Sequence, residues 1–474
     1  MTFSSVPFFI FFAIVCGVMA ITNLPPFQGN LRLRQAILLI ASYVFYGWWN
    51  WKCCFLMLGL TAIAYACARA MEGRWRRLAL AVGVAVPLVI LGIFKYFNFF
   101  IEAFCAVFSI KNVGALNILL PVGISFYTFQ SLSYIIDVYK GKLAAESSFL
   151  RVALYIAFFP QLVAGPIVKA GEFLPQLHQD RNISLKNLET GIQIFLFGLF
   201  KKIVLSDHIS VFVDAVYRCP NAYHAYTLLL AVFAYSVQIY YDFSGYSDMA
   251  VGCARCLGYD LPRNFNLPYI SRNISEFWKR WHISLSSWLQ EYLYIPLGGN
   301  RKGTLRTYCN LFLTMVLGGL WHGASWTFVV WGGLHGVALC VHKLFLRARK
   351  GRRPADSQVG AAVSVAATFL FVSFCWIFFR APDFTTAWSM LTGILLWKNG
   401  VVHTSCWAVA GILIALVATA VAVVRSGKRH EPVTGFYPTM SLDTTLGLLV
   451  LFLTIGLILG LAYTGDNPFI YFQF

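Results

Sequence analysis

Long apolar runs separated by short polar loops follow one another along almost the whole chain. A helix that crosses a bilayer needs about 20 mostly apolar residues, and these runs approach that length. They occupy residues 7–24, 33–49, 53–68, 78–97, 117–136, 191–205, 226–243, 305–320, 325–345, 361–379, 405–424 and 445–463. Two weaker stretches, residues 152–167 and 385–397, fit a crossing, a re-entrant segment or an interfacial segment. The pattern predicts one all-α domain over residues 1–474, a polytopic bundle of about 11 to 13 spans.

The composition agrees with a membrane location. Hydrophobic residues make up 59% of the chain and charged residues only 12%, and the mean hydropathy is +0.68. A soluble protein of this size carries more charge. The first run has neither a basic leader nor a clear cleavage site, so we expect a retained span rather than a signal peptide.

Positive charge lies in short loops rather than in one soluble domain, although the net charge is +18. This distribution predicts membrane topology and argues against a nucleic-acid partner. Residues 69–77, 347–353 and 425–429 are basic, whereas residues 1–6 and 466–474 contain no Lys or Arg. The alternation predicts that both termini face outside. Some of the basic loops are also suited to contact anionic membrane lipids or an acidic cytoplasmic substrate.

Two polar interruptions occur in apolar surroundings, where ionisable groups often mark a site. One is residues 238–248, at the end of a predicted span, where we expect either a capped helix end or the wall of a cavity. Its candidate cavity residues are Gln238, Tyr241, Asp242, Ser244 and Asp248. The other is residues 160–166, where two prolines and a glycine free backbone groups that must be buried or line a cavity.

A third cluster covers residues 273–294. Asn273 and Glu276 fit the capping box of a helix. Apolar residues then recur at helical spacing, which predicts one amphipathic helix at the membrane interface. These residues are Trp278, Trp281, Leu285, Trp288 and Tyr292. His282 is at the edge of the stripe, where a polar group could face a cavity, and the basic Lys279 and Arg280 precede it.

The fourth cluster contains His322, which follows an apolar run and is framed by glycines. Small neighbours such as Gly318 and Gly319 allow backbones to approach closely. A histidine here is either a structural hydrogen-bonding group or an acid–base catalyst. Further candidate cavity residues beside it are Trp321 and Ser325. His335 and His342 share a helix face and are interpreted as structural, and no carboxylate at matching spacing supports a metal site.

A series of motifs runs through the chain in order. These are F-S-S-V-P-F-F, L-L-I-A-S-Y-V-F-Y-G-W-W, F-K-Y-F-N-F-F, P-V-G-I-S-F-Y-T-F-Q-S-L-S-Y-I-I-D-V-Y, F-F-P-Q-L-V-A-G-P-I, Y-Y-D-F-S-G-Y-S-D-M-A, F-W-K-R-W-H-I-S-L-S-S-W, Y-I-P-L-G-G-N-R, G-G-L-W-H-G-A-S-W and W-I-F-F-R-A-P. Together they resemble the membrane-bound O-acyltransferase family, in its bacterial branch that acetylates exported polysaccharide. The resemblance covers nearly the whole chain and is loose after about residue 401.

The resemblance implies a helical body in the bacterial inner membrane, with an outer funnel and a narrow cytoplasmic passage. It also implies that His322 is the essential histidine and that His282 matches the partner polar position, often Asn in eukaryotic relatives. The implied donor is acetyl-coenzyme A or another acyl thioester, with no bound cofactor, and the implied partners are periplasmic polysaccharide acetyltransferase subunits.

The residues suit that chemistry, since acyl transfer needs a base and a group that stabilises an oxyanion. His322 could be that base or form a transient acetyl-imidazole. His282, a serine or backbone donors near Gly318 and Gly319 could hold the thioester carbonyl. Alternative functions are D-alanyl transfer to teichoic acid, peptidoglycan O-acetylation, and a transporter or flippase, although no internal repeat typical of transporters is visible.

Overall fold

The computed structural model describes residues 1–110, 118–349, 358–429, 437, 439–465, 467 and 469, without the side chains of residues 422–429. Helices form the regular secondary structure of this part of the chain. The first eight are α1 (Val6–Ile21), α2 (Leu31–Ala70), α3 (Arg76–Leu91), α4 (Phe97–Val107), α5 (Ile124–Tyr139), α6 (Phe149–Ala157), α7 (Phe159–Leu162) and α8 (Ala170–Leu177). The others are α9 (Leu185–Leu199), α10 (Asp207–Arg218), α11 (Ala225–Cys256), α12 (Ile274–Arg280), α13 (Ile283–Leu289), α14 (Thr304–His322), α15 (Trp326–Ala348), α16 (Gln358–Arg380), α17 (Phe384–Leu395), α18 (Cys406–Arg429) and α19 (Thr445–Leu461). The predicted all-α class is confirmed.

Several helices are long and apolar enough to cross a bilayer. Among the described residues four meet that length and composition: Leu31–Ala70, Arg76–Val107, Trp326–Ala348 and Gln358–Arg380. Shorter apolar helices are Val6–Ile21, Phe384–Leu395, Cys406–Val421 and Thr445–Leu461. Many large apolar side chains on these helices are exposed, as expected for surfaces that face lipid. The chain is therefore a polytopic membrane protein, while the count of 11 to 13 spans stays a prediction.

Helix breaks and extensions differ in part from the predicted runs. Runs 33–49 and 53–68 form α2, in which Asn50 leaves helical geometry (φ −158°, ψ 108°) and accepts a hydrogen bond from the backbone N–H of Lys52 (3.0 Å). Run 191–205 instead continues from α9 through a π-helical segment, Phe200–Ser206, into α10. The helix that contains run 226–243, α11, continues to Cys256. The predicted helix end near residues 238–248 is therefore wrong.

Run 117–136 also differs, because its helix begins only at Ile124. Gly123, which precedes it, has φ +76°, and a Cβ there would lie 2.6 Å from the carbonyl oxygen of Leu162. Only glycine fits this turn without strain. Residue 117 lies outside the described residues, as do the basic Lys350, Arg352 and Arg353 and most of the tail after residue 465. Residues 425–429, expected in a loop, end helix α18.

The short helices α6 and α7 correspond to the weak run 152–167, and neither is long enough to cross a bilayer. Every side chain from Val152 to Leu162 is buried. The side-chain amide of Gln161 donates to the carbonyl oxygen of Tyr155 (2.6 Å). This confirms that the Pro- and Gly-interrupted backbone at residues 160–166 is buried within the protein.

Packing divides the chain into two compact units. The first comprises Met1–Leu196, Tyr246–Pro262 and Thr439–Leu451, and the second comprises Phe197–Gly245, Arg263–Pro438 and Phe452–Phe474. Both candidate catalytic histidines belong to the second unit. The expectation of one domain over residues 1–474 stays a prediction.

Candidate functional site

Helices α14 and α15 pack closely, backbone against backbone. A Cβ on Gly319 would lie 2.3 Å from the carbonyl oxygen of Phe328, and a Cβ on Gly332 would lie 2.4 Å from that of Met315. Real Cβ atoms do not approach backbone so closely, so both positions require glycine. This confirms the prediction that small residues beside His322 permit two backbones to approach closely. The close packing holds the C-terminal end of α14 against α15.

His322 is the last residue of α14 and is 3% exposed. Aromatic rings enclose its imidazole. The centroids of Trp331 and Phe379 are 5.2 and 5.3 Å from the His322 centroid, and the Trp331 ring is perpendicular to it. Trp321, its chain neighbour, is at 5.0 Å. The walls of this site are therefore aromatic and largely dry, which strengthens electrostatic interactions within it.

His282 lies at a break in the chain, not on a continuous helix. Helix α12 ends at Arg280 and α13 begins at Ile283, while His282 adopts left-handed geometry (φ 41°, ψ 56°). The predicted single amphipathic helix over residues 273–294 is therefore wrong, although Asn273 caps α12 by accepting from the N–H of Glu276 (2.9 Å). The left-handed region costs about 1–2 kcal/mol for a residue other than Gly, so surrounding contacts must hold His282 there.

The predicted apolar stripe is buried rather than interfacial. Trp281 and Leu285 are each 1% exposed, and Trp288 and Tyr292 are also buried. The Trp281 ring lies 5.0 Å from that of Trp376 on α16. The side chains of the stripe therefore form part of the core that surrounds the histidines.

Asn264 fixes the orientation and tautomer of His282. Its Oδ1 atom is 3.0 Å from His282 Nδ1 and accepts hydrogen bonds from the backbone N–H of Ser284 (3.3 Å) and from the Ser284 hydroxyl (2.9 Å). Because a backbone N–H can only donate, the atom at this position is the amide oxygen. His282 Nδ1 must then carry a proton and donate it, and in a neutral ring Nε2 is left as an acceptor.

The two histidines are brought together. Their ring centroids are 6.4 Å apart with an interplanar angle of 58°. His282 is 0% exposed, with the ring of Phe243 perpendicular to it at 4.6 Å. A direct hydrogen bond needs nitrogen atoms within about 3.2 Å, which this centroid spacing does not allow. The two imidazoles are therefore neighbours without a direct hydrogen bond between them.

Comparison with known proteins assigns this arrangement to a family. The sequence profile described as "MBOAT, membrane-bound O-acyltransferase family" matches residues 142–365, which include both histidines. A probable alginate O-acetylase of Pseudomonas putida is 37% identical over 500 residues, all of both chains. A probable alginate O-acetylase of Pseudomonas aeruginosa is 42% identical over 77% of this chain and 72% of its own. A peptidoglycan O-acetyltransferase of Helicobacter pylori is 37% identical over 83% of this chain and 80% of its own.

The chain belongs to the membrane-bound O-acyltransferase family. It is a multi-pass O-acyltransferase, and its bacterial relatives indicate the inner membrane. The predicted family, enzyme class and localisation are confirmed. The outer funnel and cytoplasmic passage that the resemblance implies stay predictions.

In this O-acyltransferase, Asp242 is part of a buried ionic cluster in the middle of α11. Lys202 Nζ lies 2.5 Å from Asp242 Oδ1 and 2.7 Å from Asp207 Oδ1, and all three side chains are less than 10% exposed. Asn467 donates to Asp207 Oδ1 (2.9 Å). Lys201 donates to the hydroxyl of Ser244 (3.3 Å). The cluster joins α10 and α11, one residue from Phe243, so it supports the wall of the histidine site.

The other predicted cavity residues have varied surroundings. Gln238 and Tyr241 are buried on α11, and Asp248 is buried in the first unit. Lys279 is exposed, while Arg280 forms an ion pair with Glu276 (2.9 Å) and donates to the carbonyl oxygen of Asn266. Ser325 caps α15 by accepting from the N–H of Thr327 (3.3 Å). These contacts anchor the Arg280 side chain, and its predicted part in substrate binding stays a prediction.

Sequence reasoning missed several residues of the site: Asn264, Lys202, Asp207, Trp331 and Phe379. Phe379 lies in the motif W-I-F-F-R-A-P, whose sequence alone indicates no role for it. Asn264 carries no local signal, because its contact with His282 spans 18 residues. Within the described residues, no group of three or more His, Cys, Asp or Glu has the geometry of a metal site.

Proposed function

We propose that this enzyme transfers an acetyl group from a cytoplasmic thioester, across the membrane, for O-acetylation of an exported polysaccharide. The observation that carries the proposal is the buried His322–His282 pair within an aromatic wall, in a chain whose alginate O-acetylase relative matches it from end to end. The alginate-like identity of the polymer is supported by the relatives' names, and a cellulose-like polymer stays an alternative prediction.

His322 acts as the general base in this proposal. In direct transfer, an imidazole nitrogen of His322 takes the proton of the acceptor hydroxyl as its oxygen attacks the thioester carbonyl. The tetrahedral intermediate then collapses, the C–S bond breaks, and the thiolate takes the proton from His322. The alternative is a two-step route through acetyl-imidazole on His322, in which the thiol leaves before the hydroxyl attacks.

His282 has a different role in the proposed acyl transfer. With Nδ1–H bonded to Asn264, neutral His282 offers an acceptor at Nε2 and no donor for an oxyanion. We therefore assign it the role of orienting the attacking hydroxyl by accepting a hydrogen bond from its O–H. Donors for the oxyanion then come from other groups around α14 and α15.

The donor and the partners follow from the same proposal. Acetyl-coenzyme A or another acyl thioester reaches the site from the cytoplasm, where the exposed Lys279 suits a phosphate-bearing carrier. The acetyl group then passes to periplasmic polysaccharide acetyltransferase subunits, which deliver it to the polymer. Peptidoglycan O-acetylation is the second candidate, because the Helicobacter pylori relative has that name at 37% identity. D-alanyl transfer to teichoic acid remains a further alternative.

A deletion strain complemented with the wild-type gene or with the His322→Ala gene tests the proposal. We expect O-acetyl groups on the exported polysaccharide to disappear on deletion and to return only with the wild type. Matched chemical analysis of peptidoglycan should show no change in its acetylation. If peptidoglycan loses acetyl groups and the polysaccharide keeps them, the second candidate replaces the first.

A further inference from the structure

A cavity that the acyl-transfer chemistry does not use lies where helix α3 begins. Its volume is about 580 Å³, and the residues that line it are Arg74, Trp75, Arg76, Arg77, Leu78 and Tyr139. The first two precede α3, the next three form its first turn, and Tyr139 ends α5. All six residues belong to the first compact unit. The cavity is therefore built by a different unit from the one that contains the histidine pair.

The cavity is strongly basic. Three of its six lining residues are arginines, and none of the six is an acid. Glu72, two residues before Arg74, forms an ion pair with Arg69 instead (3.1 Å). Within the described residues, Arg74 and Arg77 form no ion pair. Positive groups that converge on a cavity without an acidic partner attract an anion.

Aromatic rings hold two of the three guanidinium groups. Arg74 Cζ lies 4.8 Å from the ring centroid of Trp75, and Arg76 Cζ lies 4.9 Å from that of Tyr139. Arg76 Nη2 also donates to the carbonyl oxygen of Tyr139. A guanidinium whose face stacks on a ring keeps N–H groups at its edge, and these N–H groups match the oxygen atoms of a phosphate. The geometry therefore suits a phosphate group.

The surroundings of the cavity indicate which molecule carries that phosphate. Trp75 and Leu78 are large and apolar, yet they are 56% and 57% exposed. The apolar span Arg76–Val107 starts at the cavity, so the cavity lies where a membrane-spanning helix meets the lipid headgroups. The basic residues 69–77 predict that this end of the span is cytoplasmic. Anionic lipid headgroups attract basic segments at this position.

An apolar stripe leads from the cavity along α3. It consists of the exposed residues Leu78, Val82, Ala85 and Val89, whose spacing of four, three and four places them on one helix face. From Leu78 to Val89 the stripe is about 16 Å long, and one leaflet of the hydrocarbon core is about 15 Å thick. A lipid whose headgroup occupies the cavity can therefore pack an acyl chain along this face through its whole leaflet.

We propose that Arg74, Arg76 and Arg77 bind the phosphate of an anionic phospholipid in the cytoplasmic leaflet, with an acyl chain on the apolar stripe of α3. This binding site goes beyond the proposed acyl transfer. Free phosphate offers the guanidinium groups the same chemistry, but it makes no contact with the stripe. The lipid is the occupant that fits both the basic cavity and the apolar helix face.

Native mass spectrometry of the full-length protein in detergent tests the proposal. Dioleoyl phosphatidylglycerol and dioleoyl phosphatidylcholine are titrated separately, because they have the same acyl chains and differ in net charge. We expect the wild type to bind phosphatidylglycerol at least about tenfold more tightly than phosphatidylcholine. Loss of one arginine near a membrane surface weakens anionic-lipid binding about fivefold, so the double variant Arg74→Gln, Arg77→Gln should lose about 25-fold.

The double variant Arg32→Gln, Arg306→Gln is the matched control. It removes two exposed arginines at predicted cytoplasmic helix ends, outside the residues that line the cavity. It should elute as a single species and bind phosphatidylglycerol as the wild type does. Equal affinity of the wild type for the two lipids would overturn the proposal. An equal loss in the control and in a monodisperse cavity variant would also overturn it.

Soluble competitors separate the lipid from a free phosphate. Glycerophosphoglycerol, which is the headgroup without acyl chains, and inorganic phosphate both lack the contact with the stripe. We expect each to displace phosphatidylglycerol only at concentrations at least about 100-fold above that of the lipid. Displacement at concentrations equal to that of the lipid would assign the cavity to a free phosphate and overturn the lipid site.

Discussion

Replacement of Asn264 by Ala should impair catalysis although the proposed catalytic base, His322, is unchanged. The substitution removes an oxygen that accepts from His282 Nδ1, from the backbone N–H of Ser284 and from the Ser284 hydroxyl. His282 then loses the contact that fixes its tautomer, and its left-handed backbone loses a supporting side chain. A ring that alternates between tautomers presents the required acceptor only part of the time.

The expected losses of stability and of activity follow from these contacts. Each buried donor left without an acceptor costs about 1–3 kcal/mol, so Asn264→Ala should lose about 3 kcal/mol of stability. Loss of the residue that orients a functional histidine typically costs about 10–100-fold in activity. That range corresponds to about 1.4–2.7 kcal/mol of activation free energy.

The assay is thioester turnover per folded molecule, with the folded fraction measured by monodisperse elution in detergent. Asn310→Ala is a matched control, because both asparagines are 2% exposed. Within the described residues, the Asn310 side chain donates to the carbonyl oxygen of Gly299 (3.2 Å) and makes no hydrogen bond to a histidine. We expect Asn310→Ala to lose stability and keep its turnover. Equal turnover per folded molecule in Asn264→Ala and the wild type would refute the orienting role.

Four further outcomes are expected. Lys202→Met should lower the melting temperature in detergent, because Asp207 and Asp242 stay buried without their cation, a loss of about 3–5 kcal/mol; an unchanged melting temperature would contradict the ion cluster. Gly319→Ala should reduce folded yield, because its Cβ meets backbone at 2.3 Å, whereas Gly333→Ala, with its nearest neighbour at 3.8 Å, should fold normally. Alkaline phosphatase fused to either terminus should be active and green fluorescent protein dark, because both termini are predicted outside; a fluorescent C-terminus would reverse this topology. The purified chain, given donor and polymer, should hydrolyse thioester slowly at most, and efficient acetylation of the polymer without partners would refute the need for periplasmic subunits.

Local sequence patterns predicted the features that depend on neighbouring residues. Apolar runs indicate helices because burial and bilayer length act along one segment. Gly319 could be recognised as a close approach because glycines cluster around His322. The cap at Asn273 likewise depends on a residue three positions away. These features need no knowledge of the tertiary structure.

Features that depend on distant contacts could not be predicted in this way. The spacing of Trp278, Trp281 and Leu285 fits one continuous helix, yet the chain breaks at His282. The break is held by Asn264, 18 residues earlier. The pairing of Lys202 with Asp242 spans 40 residues and turns an apparent helix end into a buried helix interior. A tertiary hydrogen bond overrides local helix periodicity at His282, and a tertiary ion pair allows the charged Asp242 to lie inside α11.

Thioester turnover by the His322→Ala protein, measured per folded molecule, tests the central claim most directly. His342→Ala serves as the control, since His342 is a histidine of α15 with a hydroxyl partner of its own. Loss of a general base typically removes 10²–10⁴-fold in rate, roughly 3–5 kcal/mol of barrier. We predict that loss in His322→Ala with normal elution, and near wild-type turnover in His342→Ala. Near wild-type turnover in folded His322→Ala would contradict the assignment of His322 as the catalytic base.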